Sequence, residues 1–541
     1  MKFSISVFEK REDRPTPPAV YNWRVYLWSF VAAFSACLAG YDSSFIGGTL
    51  SLSSFQHEFG WDRKTTAEIS TLKENIVSIF QAGAVFGAIL VYPLQYRYGR
   101  RISLLVCGVV FLIGAGLCCG PTGKRGLGLM YAGRVITGLA VGGTSGIAPI
   151  YISEISPPAI RGQLVGMYEI SWQIGTFVGF WINYALNKTM APTRIQWQIP
   201  FIVQIIPGSL FFIGMIFVRE SPRWLLYNNQ VQRGIETLCW LRHLDRSSSY
   251  LQEEIAQIES AIEEQNATIG RGYWAPYKEI VRSPVILKRL ALSSSLFIWQ
   301  NGTGINAIVY YSPTIFSSLG FSSTSASLLT TGVFGVIKIL AALVWFFILV
   351  EKYGRRSVLI VGSIGSSLTM WYVGAYLKVS SMNEAGTVSA GGKAAVAMMY
   401  IWTVFYGASW NGTPWVVSSE LFHQNIRSVT QGITGASNWF WTFIMARFTP
   451  NMLAKMTYGT YFLFASMTLI SIPFVFFLLP ETKGIPLEEI DFLFAKGVPA
   501  YRAHGLVMER LNKESANDSY DDKASEQLVE GPSDVEKAVL E

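Results

Sequence analysis

The sequence predicts an all-α membrane protein whose twelve spans form two six-helix halves joined by a helical linker. Three observations carry that reading. Half of the 541 residues are hydrophobic and only 15% are charged, against about a quarter in a typical soluble chain, and the mean hydropathy is +0.32. Apolar runs of roughly 18 to 25 residues recur, each long enough to cross a bilayer as a helix. Short charged motifs from the first part return in the second at nearly one offset.

The N-terminal segment 1–24 is polar and rich in proline, with no cleavable signal pattern, so it is expected to stay on the cytoplasmic side. The first half, 25–218, holds runs at about 25–47, 71–95, 102–120, 127–151, 163–186 and 199–218. A linker, 219–288, includes the charged helical segment YLQEEIAQIESAIEEQ. The second half, 289–480, holds runs at about 290–312, 325–350, 357–378, 394–418, 428–448 and 458–479. These are spans 1 to 12 below. In the C-terminal segment 481–541, the stretch after about 515 has eight acidic residues, two lysines and no apolar period, and is expected to be disordered.

Basic clusters follow the even-numbered spans: Arg97, Arg100 and Arg101; Arg219 and Arg223; Lys352, Arg355 and Arg356. The positive-inside rule puts those loops, and both termini, in the cytoplasm. The net charge of +7 follows from this bias and gives no reason to expect nucleic acid. The five cysteines (Cys37, Cys107, Cys118, Cys119, Cys239) lack metal-ligand spacing and read as small core residues where they fall in spans.

The repeat is specific. RYGRR (97–101) returns as KYGRR (352–356), an offset of 255. SEISPPAIRG (153–162) returns as SELFHQNIRS (419–428), with Glu154/Arg161 matching Glu420/Arg427 at 266. RESPR (219–223) returns as PETKG (480–484), Glu220 matching Glu481 at 261. Internal duplication around a central linker marks secondary transporters whose halves rock about a midplane site. No nucleotide-binding loop, metal cluster or nucleophile–base pair is present, so an enzyme, a cofactor or an ATP-driven pump is not expected.

Together these motifs resemble the sugar porter family of the major facilitator superfamily over about residues 20–495. Within it, YEISWQIGTFVGFWINY (168–184), WQNGTGINAIVYYSP (299–313) and RPTPPAVYNWRVY (14–26) look most like the fungal quinate permeases. The resemblance implies proton-driven uptake of a polyol-like solute across the plasma membrane, by a monomeric chain whose partners are substrate, protons and lipid. This sequence departs from the wider pattern at Tyr96 and Glu351, where an Asp is usual. It departs again at Asn301 for a glutamine, at Asn411-Gly412 for Gly-Pro, and at His423 for a proline. The Asn301 change weighs against glucose itself.

Candidate residues follow. Amide side chains donate and accept, so Gln300, Asn301 and Asn306 could replace a polyol's lost water bonds, on a span that Gly302 and Gly304 allow to bend. The other reading is interhelical glue. Gln173, Asn438 and Trp415 match sugar-contacting positions of the family, Trp415 as an aromatic floor. Asp42, deep in span 1, needs a partner or a proton. Arg134 of span 4 is the natural cation and matches the arginine of proton-coupled members, so the two are read as the coupling pair or, alternatively, as a static structural one. Lys338, mid-span 8 with no acid within four residues, reads as a cation for a carboxylate such as quinate's, or as the partner of another helix. Glu169 is assigned to the cytoplasmic charge network rather than to the cavity. Arg100, Arg101, Glu154, Arg161, Glu220 and Arg223, with Arg355, Arg356, Glu420, Arg427 and Glu481, sit at helix ends and are expected to latch the two halves in the outward-open state and to part when the cavity opens inward, ordinary topogenic charge being the other reading of any single arginine. Asn187-Lys188-Thr189 fits a glycosylation sequon but is not assigned as one. The competing functions are a porter of a neutral hexose, pentose or disaccharide, and a non-transporting nutrient sensor, which the short tail disfavours.

Overall fold

A computed structural model describes residues 15–270, 272–321, 323–380, 389–485, 487–494 and 498–511. The acidic stretch after 515 and the start of the N-terminal segment lie outside them, as does the side chain of Glu351. The described residues form helices that account for the twelve spans expected from the sequence.

Several spans are broken at a definite residue. Span 1 is Trp23–Ala33 and Ser35–Thr49, started by the Asn22 side chain, which accepts from Arg24 N. Span 6 is Arg194–Val203 and Ile205–Phe217. Span 7 is Pro284–Gly302 and Ile305–Ser318, and the bend expected from its glycines falls at Gly304, with φ 88°. Span 10 is Ala390–Gly407 and Thr413–Glu420, with Asn411 in the break. Spans 4, 5, 9, 11 and 12 are Gly128–Ile155, Arg161–Thr189, Arg355–Ser380, Gln424–Met456 and Gly459–Leu478. Span 8 is Thr324–Val344, continued as a wider turn over Trp345–Leu349.

The YGRR repeats mark sharp reversals. Thr66–Cys118 holds spans 2 and 3, and the chain turns between them at Gly99, with φ 89° and ψ 177°. A Cβ there would lie 2.4 Å from Glu220 Oε2. Glycine therefore lets the Glu220 carboxylate reach the N–H groups of Arg100 (2.9 Å) and Arg101 (3.0 Å). Gly354 repeats the device at φ 84°, with Glu481 accepting from Arg355 N at 3.0 Å and Arg356 N at 2.9 Å. A carboxylate on the unsatisfied N–H groups that begin a helix is favourable.

Among the described residues, seven helical stretches are long and apolar enough to cross a membrane on those criteria alone, and one of them contains both span 2 and span 3. Spans 5, 7 and 11 carry polar side chains, and span 10 is cut short at Gly407 with Lys393 inside it. The outer faces are apolar: Phe86, Leu210, Phe217 and Leu368 are each more than half exposed, as lipid contact requires.

The linker comprises Pro222–Tyr227, Val231–Arg242, Ser249–Thr268 and Ala275–Arg282. A buried ion pair docks it: Arg242 donates to Glu254 at 2.6 Å and to the Ile155 carbonyl, at the end of span 4, at 2.8 Å. At this basic end Tyr92 of span 2 meets Tyr273 and Tyr277, with centroids 5.4 Å apart in each case.

The halves also meet at the opposite end. Arg447 of span 11 lies 3.8 Å from Glu74 of span 2 and donates to Asn75, while Asn451 donates to Glu74 at 2.5 Å. Beside them Gly47 of span 1 is so close to span 7 that an added Cβ would lie 2.1 Å from the Tyr310 carbonyl oxygen. Backbone cannot give way there as a side chain can. Overpacking of about 1–3 kcal/mol would shift the equilibrium roughly 5- to 150-fold toward states open at that end. Gly47→Val is therefore expected to lengthen the distance between spin labels on spans 1 and 7, measured by pulsed electron resonance. An unchanged distance distribution would contradict this closure.

Candidate functional site

Asp42 and Arg134 form an ion pair, as the sequence suggested they could. Asp42 is 0% exposed and Arg134 1%, and Arg134 Nη1 donates to Asp42 Oδ1. The guanidinium also donates through Nε to the Ile76 carbonyl at 3.2 Å and lies 4.7 Å from the Phe80 ring centroid, both on span 2. Asp42 Oδ2 and Arg134 Nη2 have no hydrogen-bond partner among the described residues.

The amides of span 7 gather into a second cluster with span 11. Asn301 is fully buried and forms its hub. Its Nδ2 donates to the Phe297 carbonyl at 2.8 Å and to Asn438 Oδ1 at 3.3 Å. Its Oδ1 accepts from Asn306 and, at 2.9 Å, from Thr442. Gln300 turns the other way and donates to the carbonyls of Trp410 (2.8 Å) and Asn411 (3.1 Å), in and beside the break of span 10. Trp415 packs on Phe297 with centroids 4.8 Å apart. The geometry brings Gln300, Asn301, Asn306, Asn438 and Trp415 into one region, and the amides bond one another across helices. The atoms that hold the helices together are thus of the kind that could also bond a hydroxyl.

Glu169 is a correction. It does not join the charges at the basic end. Its Oε1 accepts from Gln173 Nε2 and from Asn411 Nδ2, each at 2.5 Å, tying span 5 to span 10 across the halves. Residues 169 and 173 are four apart on one helix and share its inward face, which the sequence could have revealed. Lys338 is 4% exposed, and among the described residues its ammonium has no hydrogen bond or ion pair. Glu169 is the acid whose charge acts on it.

At the basic end the bonds described lie within each half, in a structure whose halves meet at the opposite end. Arg100 grips Glu154 at 2.8 and 3.0 Å, and Arg101 donates to the Ile216 carbonyl at 2.5 Å. Arg355 donates to Glu420 at 2.8 Å, Thr482 to the same carboxylate at 2.6 Å, and Arg356 to the Phe476 carbonyl at 2.7 Å. Arg427 reaches the Phe422 carbonyl at 3.3 Å, and Arg161 opens span 5. Burial pushes the Glu220 carboxyl up, opposed by the N–H donors of Ser221, Arg100 and Arg101 and by the Arg100 charge. Burial lowers Arg223, opposed by Glu154. Arg100–Glu154 and Arg355–Glu420 thus form equivalent helix-end clamps, one in each half.

Other contributors had no local signal. Trp439 of span 11 donates to Ser145 of span 4 at 3.1 Å and meets both Phe80 and Trp172 at 6.1 Å. A chain of contacts thus runs from Arg134 through Phe80 to Trp439, beside Asn438. Tyr310 adds another link: with the Gln81 amide oriented to accept, its hydroxyl donates at 2.9 Å. Asn187 donates to Ser325 at 2.9 Å. The cysteines are unpaired, with Cys37, Cys107 and Cys118 buried. Among the described residues no three His, Cys, Asp or Glu side chains are placed to hold a metal ion.

Comparison with known proteins adds three findings. The family model described as sugar (and other) transporter matches residues 28–494. A protein named probable quinate permease from Aspergillus niger is 53% identical over 514 residues, covering 95% of each chain. One named quinate permease from Emericella nidulans is 52% identical over 512 residues, covering 94% of this chain and 95% of its own. Among solved structures, the proton:xylose symporter XylE bound to 6-bromo-6-deoxy-D-glucose aligns at TM-score 0.72 and 25% identity, covering 87% of this chain and 99% of its own. A partially occluded, inward-open form of the E. coli xylose transporter aligns at TM-score 0.71 and 23% identity, over 86% of this chain and all of the other.

Proposed function

The chain belongs to the sugar transporter family, and on that premise we propose that it imports quinate, or a closely related carboxylated polyol, together with protons. It is a multi-pass membrane secondary transporter rather than an enzyme. The observation that carries the substrate is identity of about one half, over almost the whole chain, to relatives named for quinate. The site chemistry supports it: a buried ammonium suits a carboxylate, and carboxamides suit hydroxyls.

In the proposed cycle Asp42 takes a proton from the outer side and its bond to Arg134 weakens. Arg134 keeps the Ile76 carbonyl and the Phe80 ring, so its shift moves span 2 against Trp439 and span 11. Span 11 carries Asn438 and Thr442, and through them the Asn301 hub. Substrate on the amides and the proton on Asp42 thus bias one rearrangement of the halves, which is what coupling requires. The far-end contacts at Gly47 and Glu74 open outward in turn with the contacts at the basic end. On this reading the basic end and both termini face the cytoplasm of a plasma-membrane carrier, working as a monomer, with the halves 25–218 and 289–480 moving about the linker.

A second reading, a neutral-sugar symporter, is favoured by the likeness to the xylose symporter and by the uncharged amide cluster. Competition separates them. Labelled quinate uptake in a host lacking its own carriers is expected to fall with unlabelled quinate and to stay unchanged with excess glucose or xylose. Uptake of labelled hexose or pentose with none of quinate would overturn the substrate assignment.

A further inference from the structure

The geometry points to a distinct role for Glu169: we infer that it is an internal counter-anion for Lys338, displaced by the carboxylate of the substrate and reclaiming the ammonium when the substrate leaves. This deepens the reading above and rests on it for the carboxylated substrate.

Four observations converge. Lys338, on span 8, is 4% exposed and among the described residues bonds to no acceptor, while Glu169, on span 5, is the acid whose charge reaches it. A buried cation left without an anion is costly, so a carboxylate beside it is the expected companion. Glu169 is held independently by the amide donors of Gln173 and Asn411, at 2.5 Å each. It therefore keeps two hydrogen bonds when it yields the ammonium. Gln173 Oε1 is buried with no partner among the described residues, an acceptor for a hydroxyl next to the arriving carboxylate. Spans 5 and 8 pack along each other on both sides of this level, Phe346 against Gly166 toward the basic end and Phe180 against Gly335 away from it, so the acid and the ammonium lie along one seam between the halves.

Transport sets the reason for such an arrangement. A lone buried ammonium would bind an anion well and release it badly, whereas a carrier must bind firmly enough to select and loosely enough to let go. With Glu169 alongside, the substrate gains only the difference between its own attraction to Lys338 and that of the resident carboxylate. A neutral polyol gains nothing from this exchange. Asn411 belongs to the mechanism because its amide holds Glu169 in place from the other half.

The test uses the full-length protein in nanodiscs for binding and in proteoliposomes for turnover. Labelled quinate is compared with a carboxylate-free cyclic polyol such as inositol at millimolar concentration. Glu169→Gln is expected to lower the quinate Kd by about tenfold and to slow turnover by a similar factor, because release is no longer assisted. Inositol binding is expected to stay as in the unmutated protein. Lys338→Met should lose quinate while keeping inositol. The double variant should bind quinate no better than Lys338→Met alone. Glu169→Ala, read in the same way, serves if the glutamine variant does not fold. A merely structural Glu169 predicts that both ligands weaken together, or that the quinate Kd does not move, and either result overturns the inference. Failure of the unmutated protein to bind quinate would instead overturn the substrate assignment, and this inference with it.

Discussion

Asp42→Asn is expected to abolish accumulation of substrate against its gradient while leaving exchange of internal for external substrate largely intact. Asparagine keeps the size of the side chain and can still accept from Arg134, but it takes up no proton in the physiological range. We propose the buried pair as the coupling device because it is fully withdrawn from water and because Arg134 has two further holds on span 2, the Ile76 carbonyl and the Phe80 ring. Losing the carboxylate leaves a buried guanidinium less well compensated, a cost of about 3–5 kcal/mol when a partner is removed outright. The amide oxygen and the aromatic face reduce that cost, so the variant should fold. Each pH unit of gradient is worth about 1.4 kcal/mol, or tenfold accumulation, to a one-proton carrier. In proteoliposomes with a two-unit gradient the unmutated protein should thus concentrate substrate by roughly a hundredfold at the limit, and the variant not at all. Exchange, which needs no net proton movement, should continue. Loss of both activities would mark the pair as structural.

The second large effect is expected at Asn301. Its side chain joins four neighbours: the Phe297 carbonyl, Asn438, Asn306 and Thr442. Asn301→Ala takes one partner each from Asn306, Asn438 and Thr442, leaving Asn306 its bond to Thr442 at 3.2 Å, and each unmatched polar group costs about 1–3 kcal/mol. Some of that cost is recovered when the remaining amides regroup. Even one unrecovered bond to substrate, added to a distorted span 7, predicts a fall of about 100-fold or more in kcat/KM for uptake. Asn301→Gln restores the amide on a longer stem and places the family's usual residue there. It should recover much of the activity and shift preference toward neutral hexose. Initial-rate uptake, normalised to monodisperse protein by fluorescence size exclusion, measures both. Transport by the alanine variant within threefold of the unmutated rate would show that the hub is glue alone.

How far the sequence discloses this structure depends on whether a feature is local. The helix ends are local: YGRR needs a glycine at positive φ so that a glutamate from the partner loop can sit on two N–H groups, and the triplet of motifs repeats in both halves for that reason. The bend at Gly304 is equally local. Asp42 and Arg134 could be paired because two opposite charges buried in spans have few alternatives. Glu169 was different. Nothing near it in sequence shows that its partner is Asn411, 242 residues away, so its inward face competed on equal terms with the charged loop nearby. The bond from Trp439 to Ser145 spans 294 residues and joins an indole to a hydroxyl, types that occur throughout the chain. The direction of the helix-end clamps also needed the folded chain, since a Glu–Arg spacing is the same whether the partner lies in one half or the other. Spans 5, 7, 10 and 11 are legible in the sequence as apolar runs, although the folded helices fall short of the length and hydropathy that flag the others.

The most direct measurement is proton flux and quinate flux recorded together, in voltage-clamped proteoliposomes carrying an internal pH dye, for the unmutated protein and Asp42→Asn. If quinate enters as a monoanion with one proton, no net charge crosses. Uptake should then follow the pH gradient, acidify the lumen one proton per quinate, and ignore the membrane potential, whose pull on an unbalanced charge is about 2.3 kcal/mol per 100 mV. Asp42→Asn should abolish the acidification. Quinate uptake that tracks voltage and ignores pH, or a variant that still acidifies the lumen in step with quinate, would contradict the account.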